Sequence, residues 1–353
     1  MKAAFYTTTI EQVERELVLR GEKSYRAGQL FDWVYQKRVY DPASMTNLPH
    51  SLKDKLSQVY DFFLPETVSK LTSSDGTIKL ALKLADNALV ESVIIPTAKK
   101  VTLCISTQVG CSRNCLFCAT AKEGLKRNLS SLEIISQILI ASQQVFPRHI
   151  TNIVFMGMGE PLDNYDALLG ALKIMQWEKG LCISPRRTTV STCGVVPGIY
   201  KLADSGIKTK LALSLNSAIA SIRSQLMPIS ETYNLDALKS ALRYFRSQTS
   251  YRITIEYILI PGLNMGHRDI QALKSFVSDI SCKINFIPWN SVDSLPWHPP
   301  TQAQIEAFMQ DASIIKQAIT LRHSRGTDIL GACGQLSSHI MRRNNGQNSQ
   351  NRS

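Results

Sequence analysis

From residue 101 onward the sequence predicts an α/β fold, a partial (β/α) barrel preceded by a small N-terminal helical accessory module. Three observations predict it. β-rich runs recur at 101–107, 152–157, 187–192, 208–215, 253–260, 283–288 and 318–323. Amphipathic stretches such as 131–145 and 234–247 separate them, and this alternation implies parallel strands with helical crossovers. The runs are fewer than the eight units of a closed barrel, so an open one is expected. Thirdly, the residues with chemical potential fall at the ends of these runs, where β/α barrels gather their active sites.

Residues 1–90 read as a separate module. Its segment Gly21–Tyr35 carries Leu30, Trp33 and Val34 at helix-like spacing, and Asp41-Pro42 and Leu48-Pro49 punctuate it into short helices. Residues 77–96 alternate as strands that join the module to the barrel, assigned to 91–338. Ser130 or Ser131 is the expected N-cap of the helix over 131–145. The tail 339–353 is polar and rich in Asn, Gln and Arg, and is expected to be disordered.

Composition narrows the class. The 353 residues are 44% hydrophobic and 19% charged, which are globular values. No stretch approaches eighteen apolar residues and the N-terminus lacks a secretory apolar run, so a cytoplasmic protein without a membrane span is expected. In a reducing compartment the eight cysteines suggest ligands and reactive thiols more than disulfides. Net charge is +12, and the excess concentrates at 99–127 and 179–210. Clustered positive charge beside a candidate active site fits a polyanion partner, although a solvated basic surface is the plainer reading.

Cys111, Cys115 and Cys118 form a CxxxCxxC motif after the first barrel strand. Three thiolates do not fill the four positions of a structural zinc or of an ordinary four-cysteine cluster. A 4Fe–4S cube on three cysteines keeps one iron open for a small molecule. A zinc knuckle completed by a distant Cys or His is the competing reading. The spacing resembles the signature of the radical S-adenosylmethionine (SAM) enzymes, and that likeness implies a barrel of the radical SAM type. Gly159-Glu160 ends the second strand, Ser191 the third, and Ser214-Leu215-Asn216 the fourth; Asn290 closes the sixth. A glycine there permits close backbone approach to a ligand, and the polar side chains offer hydrogen bonds to amino, carboxylate and ribose groups. Taken singly, each is an ordinary strand-end residue.

The runs Cys104–Thr120, Met156–Leu162, Ser191–Pro197 and Ser324–Leu336 together resemble the core of the RNA adenine-C2 methyltransferases. Gly21–Tyr35 resembles that family's accessory RNA-binding module, so the likeness spans nearly the whole chain. It implies methylation of an adenine in 23S rRNA and of the adenine beside the tRNA anticodon, with a 4Fe–4S cluster and two SAM molecules per turnover. Cys111, Cys115 and Cys118 would hold the cluster; Gly159, Glu160, Ser191, Ser214, Leu215, Asn216 and Asn290 would bind SAM. Cys333 would accept a methyl group, Cys104 would later form a transient disulfide with it, and Glu91 would be the general base. An electron donor such as flavodoxin or ferredoxin is implied as well.

The sequence departs from the family at two places. Cys193 stands where Ser or another small residue is usual, and Asn216 replaces a frequent His. Asn retains hydrogen bonding without titrating, which removes a proton-transfer role but not a SAM contact. Cys182, Cys193 and Cys282 are expected to be small buried hydrophobes. Two alternatives remain open: the related adenine-C8 methyltransferase, and a non-catalytic iron–sulfur RNA-binding protein. The second would need neither Cys104, Cys333 nor Gly159-Glu160.

Overall fold

The computed structural model describes residues 2–292 and 295–337; the polar tail expected at 339–353 lies outside them. A ten-stranded sheet organises the chain: β1 (Glu66–Thr72), β2 (Ile78–Lys83), β3 (Leu89–Pro96), β4 (Val101–Cys104), β5 (Asn152–Phe155), β6 (Thr188–Thr192), β7 (Lys210–Ser214), β8 (Ile253–Leu259), β9 (Cys282–Pro288) and β10 (Ala318–Leu321). The strands lie side by side in sequence order. From β4 to β10 every pairing is parallel. Winding always in one direction curls such a sheet toward a barrel. β1 to β4 pair antiparallel, and β1 and β10 are the two edges, so the barrel is open. Six of the seven expected runs contain one of the parallel strands whole, and the run 283–288 misses only Cys282, the first residue of β9.

Two of those runs end early for a visible reason. β4 stops at Cys104 because Ser106 N donates to the buried Gln137 side chain (2.8 Å) instead of a neighbouring strand. β10 stops at Leu321, and only Arg322 N continues the ladder, to Phe286 O at 2.8 Å. Helices Ser131–Gln144 and Leu235–Gln248 match the expected periodicity. Ser130 caps the first through a reciprocal capping box with Glu133, and Asn234 caps the second through Ala237 N.

The segment after β10 crosses the open side. Arg325 donates to Pro96 O (2.7 Å), Gly326 N to Asp75 (3.1 Å), and Asp328 accepts from Ser74 N (3.1 Å). This strap bridges the two sheet edges and carries Cys333.

The N-terminal helices Ile10–Leu19, Tyr25–Phe31 and His50–Val59 pack around Phe5, Tyr6, Phe31 and Tyr60, with Phe5 and Phe62 stacked at 4.7 Å. Buried Arg38 donates to Ser142 O (2.7 Å), and Tyr40 to Leu139 O (2.8 Å), so the module docks on helix Ser131–Gln144. These two buried hydrogen bonds onto carbonyls of the helix, one of them in its last turn, fix the module to the barrel.

Candidate active site

Two chambers lie one above the other inside the barrel. The upper, of about 870 Å³, opens at the C-terminal strand ends. Cys111, Cys115, Cys118, Gly159, Glu160, Ser191, Ser214 and Asn216 all line it. The lower, of about 1480 Å³, is lined by Cys104 and by residues nearer the strand starts, among them Thr102, Thr189 and Lys283. Cys333, Glu256, Arg322 and Met156 border both.

The cluster loop is held at both ends. Gln108–Gly110 pairs antiparallel with Leu125–Asn128, closing residues 111–124 into a loop, and Arg113 ion-pairs with Asp163 just beyond Gly159-Glu160. No three His, Cys, Asp or Glu side chains among the described residues are grouped to hold a single metal ion. A cube instead distributes its three cysteines over three separate irons, and three thiols facing one cavity suit it. Burial first, then mutual repulsion, pushes these thiols up, Cys111 to about 12. A cationic iron–sulfur cube bound there would supply the charge that makes them thiolates.

Glu160 is fixed before any ligand arrives. Its carboxylate accepts from Leu162 N (3.0 Å) and Cys193 N (2.8 Å), and burial raises its pKa against those hydrogen bonds. Gly159 has φ +97°, and a Cβ there would stand 2.5 Å from Gln108 Cβ. No side chain fits between this backbone and the loop.

Three expected site residues lie away from the cavity walls. Leu215 is fully buried and faces the core. Asn290 donates to Cys333 O (3.2 Å), placing it on the strap. Glu91, on β3, is fully buried: Lys79 Nζ stands 3.2 Å from Oε1, and Ser337 N donates to Oε2 at 3.0 Å. Burial raises Glu91, and the Lys79 charge opposes that rise. Lys79 also donates to Leu330 O (3.3 Å), so this ion pair grips both ends of the segment carrying Cys333. Lys79→Met should leave Glu91 buried and unpaired, costing roughly 3–5 kcal/mol. Hydrogen exchange across 330–337 should rise with it; unchanged protection there would show that the pair does not tether the strap.

Sequence reading missed Arg223. Its buried guanidinium donates to Leu215 O (3.1 Å) and Cys193 O (2.7 Å), tying together the residues just past the ends of β6 and β7. An arginine in a plain amphipathic stretch gives no sequence signal of this. Asn216, at φ +59°, uses its side-chain oxygen to accept from Ile258 N (3.0 Å) and so shapes the rim as well as facing the cavity. Cys282 is buried as expected, and Cys193 is buried but lines the upper chamber. Cys182, expected to be buried, is exposed, because it lies in a loop at φ +50° between helix and strand. Within the basic run 99–127, Arg127 is taken up by Asp86 (2.7 Å) and Glu133 (2.8 Å).

Comparison with known proteins follows this geometry. Residues 105–273 match the Radical SAM superfamily, and residues 7–61 match the ribosomal RNA large subunit methyltransferase N-terminal domain. A probable dual-specificity RNA methyltransferase RlmN of Dictyoglomus thermophilum is 40% identical over 90% of this chain and 91% of its own. Its counterpart in Christiangramia forsetii is 42% identical over 93% and 94%. The chain belongs to the RlmN family. A crystal structure of a radical SAM methyltransferase from Sphaerobacter thermophilus superposes with a TM-score of 0.90, at 36% identity, covering 95% of this chain and 99% of that one. The family is one of radical SAM RNA methyltransferases, and membership brings a 4Fe–4S cluster and SAM.

Proposed function

We propose that this protein methylates C2 of a specific adenine in 23S rRNA and of the adenine beside the anticodon in tRNA, consuming two SAM molecules per turnover. The observation that carries this reading is the place of Cys333, on the boundary between the chamber of the cluster cysteines and the chamber of Cys104. Adenine C2 is electron-poor and does not accept a methyl group by simple displacement. A thiol that faces SAM on one side and RNA on the other can relay it.

Cys111, Cys115 and Cys118 hold the cluster, which when bound supplies the electron that turns SAM into a hydrogen-abstracting radical. Gly159, Glu160, Ser191, Ser214 and Asn216 orient SAM; Leu215 contributes backbone and Asn290 steadies Cys333. Cys333 first takes a methyl group as a thiolate nucleophile. After that methyl loses a hydrogen atom, its carbon bonds to C2 and joins protein to RNA. A base removes the C2 proton and the adduct gives up its unpaired electron, which the cluster, when bound, would accept; Glu91 serves as the base once the strap lifts from its ion pair with Lys79. The Cys104 thiolate then attacks the Cys333 sulfur, the bond from that sulfur to the methylene carbon breaks with its electron pair passing into the adenine, and the carbon takes up a proton, leaving a disulfide and methylated RNA. A donor such as flavodoxin or ferredoxin reduces the cluster, and the setting is cytoplasmic; no helix among the described residues is long and apolar enough to cross a membrane.

Mass spectrometry of rRNA and tRNA from cells with and without the enzyme tests the reading. 2-Methyladenosine in both is expected. 8-Methyladenosine would assign the chain to the C8 reaction, and unmethylated RNA would leave the non-catalytic reading.

The release step should also depend on pH. In the free protein burial, then the charge of Cys333, pushes the Cys104 thiol up to about 12, and burial still holds it high once Cys333 is alkylated and uncharged. Its thiolate fraction therefore rises about tenfold per pH unit below that value, and thiolate is the attacking form. Decay of the protein–RNA adduct, followed on denaturing gels, should accelerate accordingly as pH increases. A flat profile would remove Cys104 from the rate-limiting release.

A further inference from the structure

The end of the barrel opposite the cluster is strongly basic. Six consecutive strands, β4 to β9, each have a cation near their start: Lys100, Arg187, Lys210, Arg252 and Lys283 lie within one residue of it, and Arg148 four residues ahead of β5. Five are exposed and Lys210 is half-buried. None of the six is ion-paired to a carboxylate among the described residues; Asp279, which lies just ahead of β9, is taken by Lys239 and Arg243. Burial, and then the charges of Lys283, Lys100 and Arg187, lower the pKa of Lys210, in keeping with strand starts that lie side by side in the sheet. Lys100, Arg187 and Lys210 fall in the basic runs seen in sequence, while Arg148, Arg252 and Lys283 do not; the ring exists because each strand start adds a member.

Lys100 and Lys283 stand in the wall of the lower chamber, whose lining extends to Cys104 and Cys333, and the other four cations lie near the intervening strand starts. Inside, Glu256 is buried with Oε1 accepting from Asn285 (3.0 Å) and Oε2 without a partner. A buried acceptor left open is expensive unless something fills it, and it matches the donors on the edge of an incoming base.

We propose that RNA docks on this lower end of the barrel, its phosphodiester backbone across the cation ring and its target nucleotide everted through the lower chamber to Cys333. The inference rests on the RNA methyltransferase reading above. Enzymes acting on a base remove it from its stack, and phosphate contacts position the strand for that. Neighbouring strands stand about 4.8 Å apart, so six starts trace an arc of roughly 24 Å. That length suits several phosphates and exceeds one small anion. An acidic electron-transfer protein is the other polyanion to weigh. Docked here, it would stand a strand's length from the cluster cysteines, about 23 Å for a seven-residue strand.

The test compares two sets of substitutions in full-length, cluster-loaded protein, with iron content and thermal unfolding confirming the fold. One is Lys100→Ala, Lys210→Ala and Lys283→Ala together; the other, at the cluster end, is Lys126→Ala with Arg268→Ala. Affinity for a tRNA anticodon stem-loop is measured across salt concentrations. The ring variant should reduce the log–log slope by about 2, at about 0.7 per lost contact with single-stranded phosphate, while the upper variant changes it little. A slope unchanged in the ring variant, or lost only in the upper one, overturns the proposal. Slower cluster reduction by flavodoxin with RNA binding intact would give the face to the reductant and overturn it too. If the unsubstituted protein neither binds nor methylates the RNA, the functional reading itself fails.

Discussion

Cys104→Ala is expected to leave the protein covalently joined to its RNA, whereas Cys333→Ala should form no adduct and methylate nothing. The asymmetry follows from the order of the two thiols. Cys333 must carry the methyl group before any carbon–carbon bond forms, so its loss stops the reaction at the first step. Cys104 lines only the lower chamber and acts only when a thiolate must break the bond between Cys333 and the RNA. Its alanine variant should methylate Cys333, bond to C2 and stop after one turnover. Labelled RNA on a denaturing gel should shift with the Cys104 variant alone. Two cysteines with a merely structural role would behave alike at both positions, and methylation surviving in both would refute the two-thiol mechanism.

Replacing any one of Cys111, Cys115 or Cys118 by Ala should abolish SAM cleavage under dithionite, with loss of iron and of the brown charge-transfer absorbance. A three-cysteine cube has no spare protein ligand: a second open iron exposes the cluster to solvent and to further loss. Arg113 and the Gln108–Asn128 ribbon hold the loop without the metal, so the variants should remain folded by circular dichroism, which separates cluster loss from unfolding. Stoichiometric zinc without iron in anaerobically prepared unsubstituted protein would reverse the assignment of the motif.

Much of the architecture was legible because it rests on local patterns. The period of apolar residues marked the seven parallel strands, and of the two serines offered as a cap for the helix over 131–145 it is Ser130 that caps it, through the chemistry of a few neighbouring residues. The cysteine motif was equally local. Sequence could not show that Leu215 faces the core or that Asn290 holds the strap, since a strand-end residue points inward or outward according to register and partner. Nor could it show that Arg127 is already paired with Asp86 and Glu133.

By itself, then, the sequence determined the strand–helix order, the family resemblance and the three cysteines, all of which are written in short spacings. The tertiary structure decided the division into two chambers, the place of Cys333 between them, and the grip of Lys79 and Glu91 on its strap. It also gathered one cation from each of six strand starts into a ring. These arrangements join residues as far apart as Glu91 and Ser337. Contacts at such separation are fixed by how the strands stack and the barrel curls, and they leave no periodic trace along the chain.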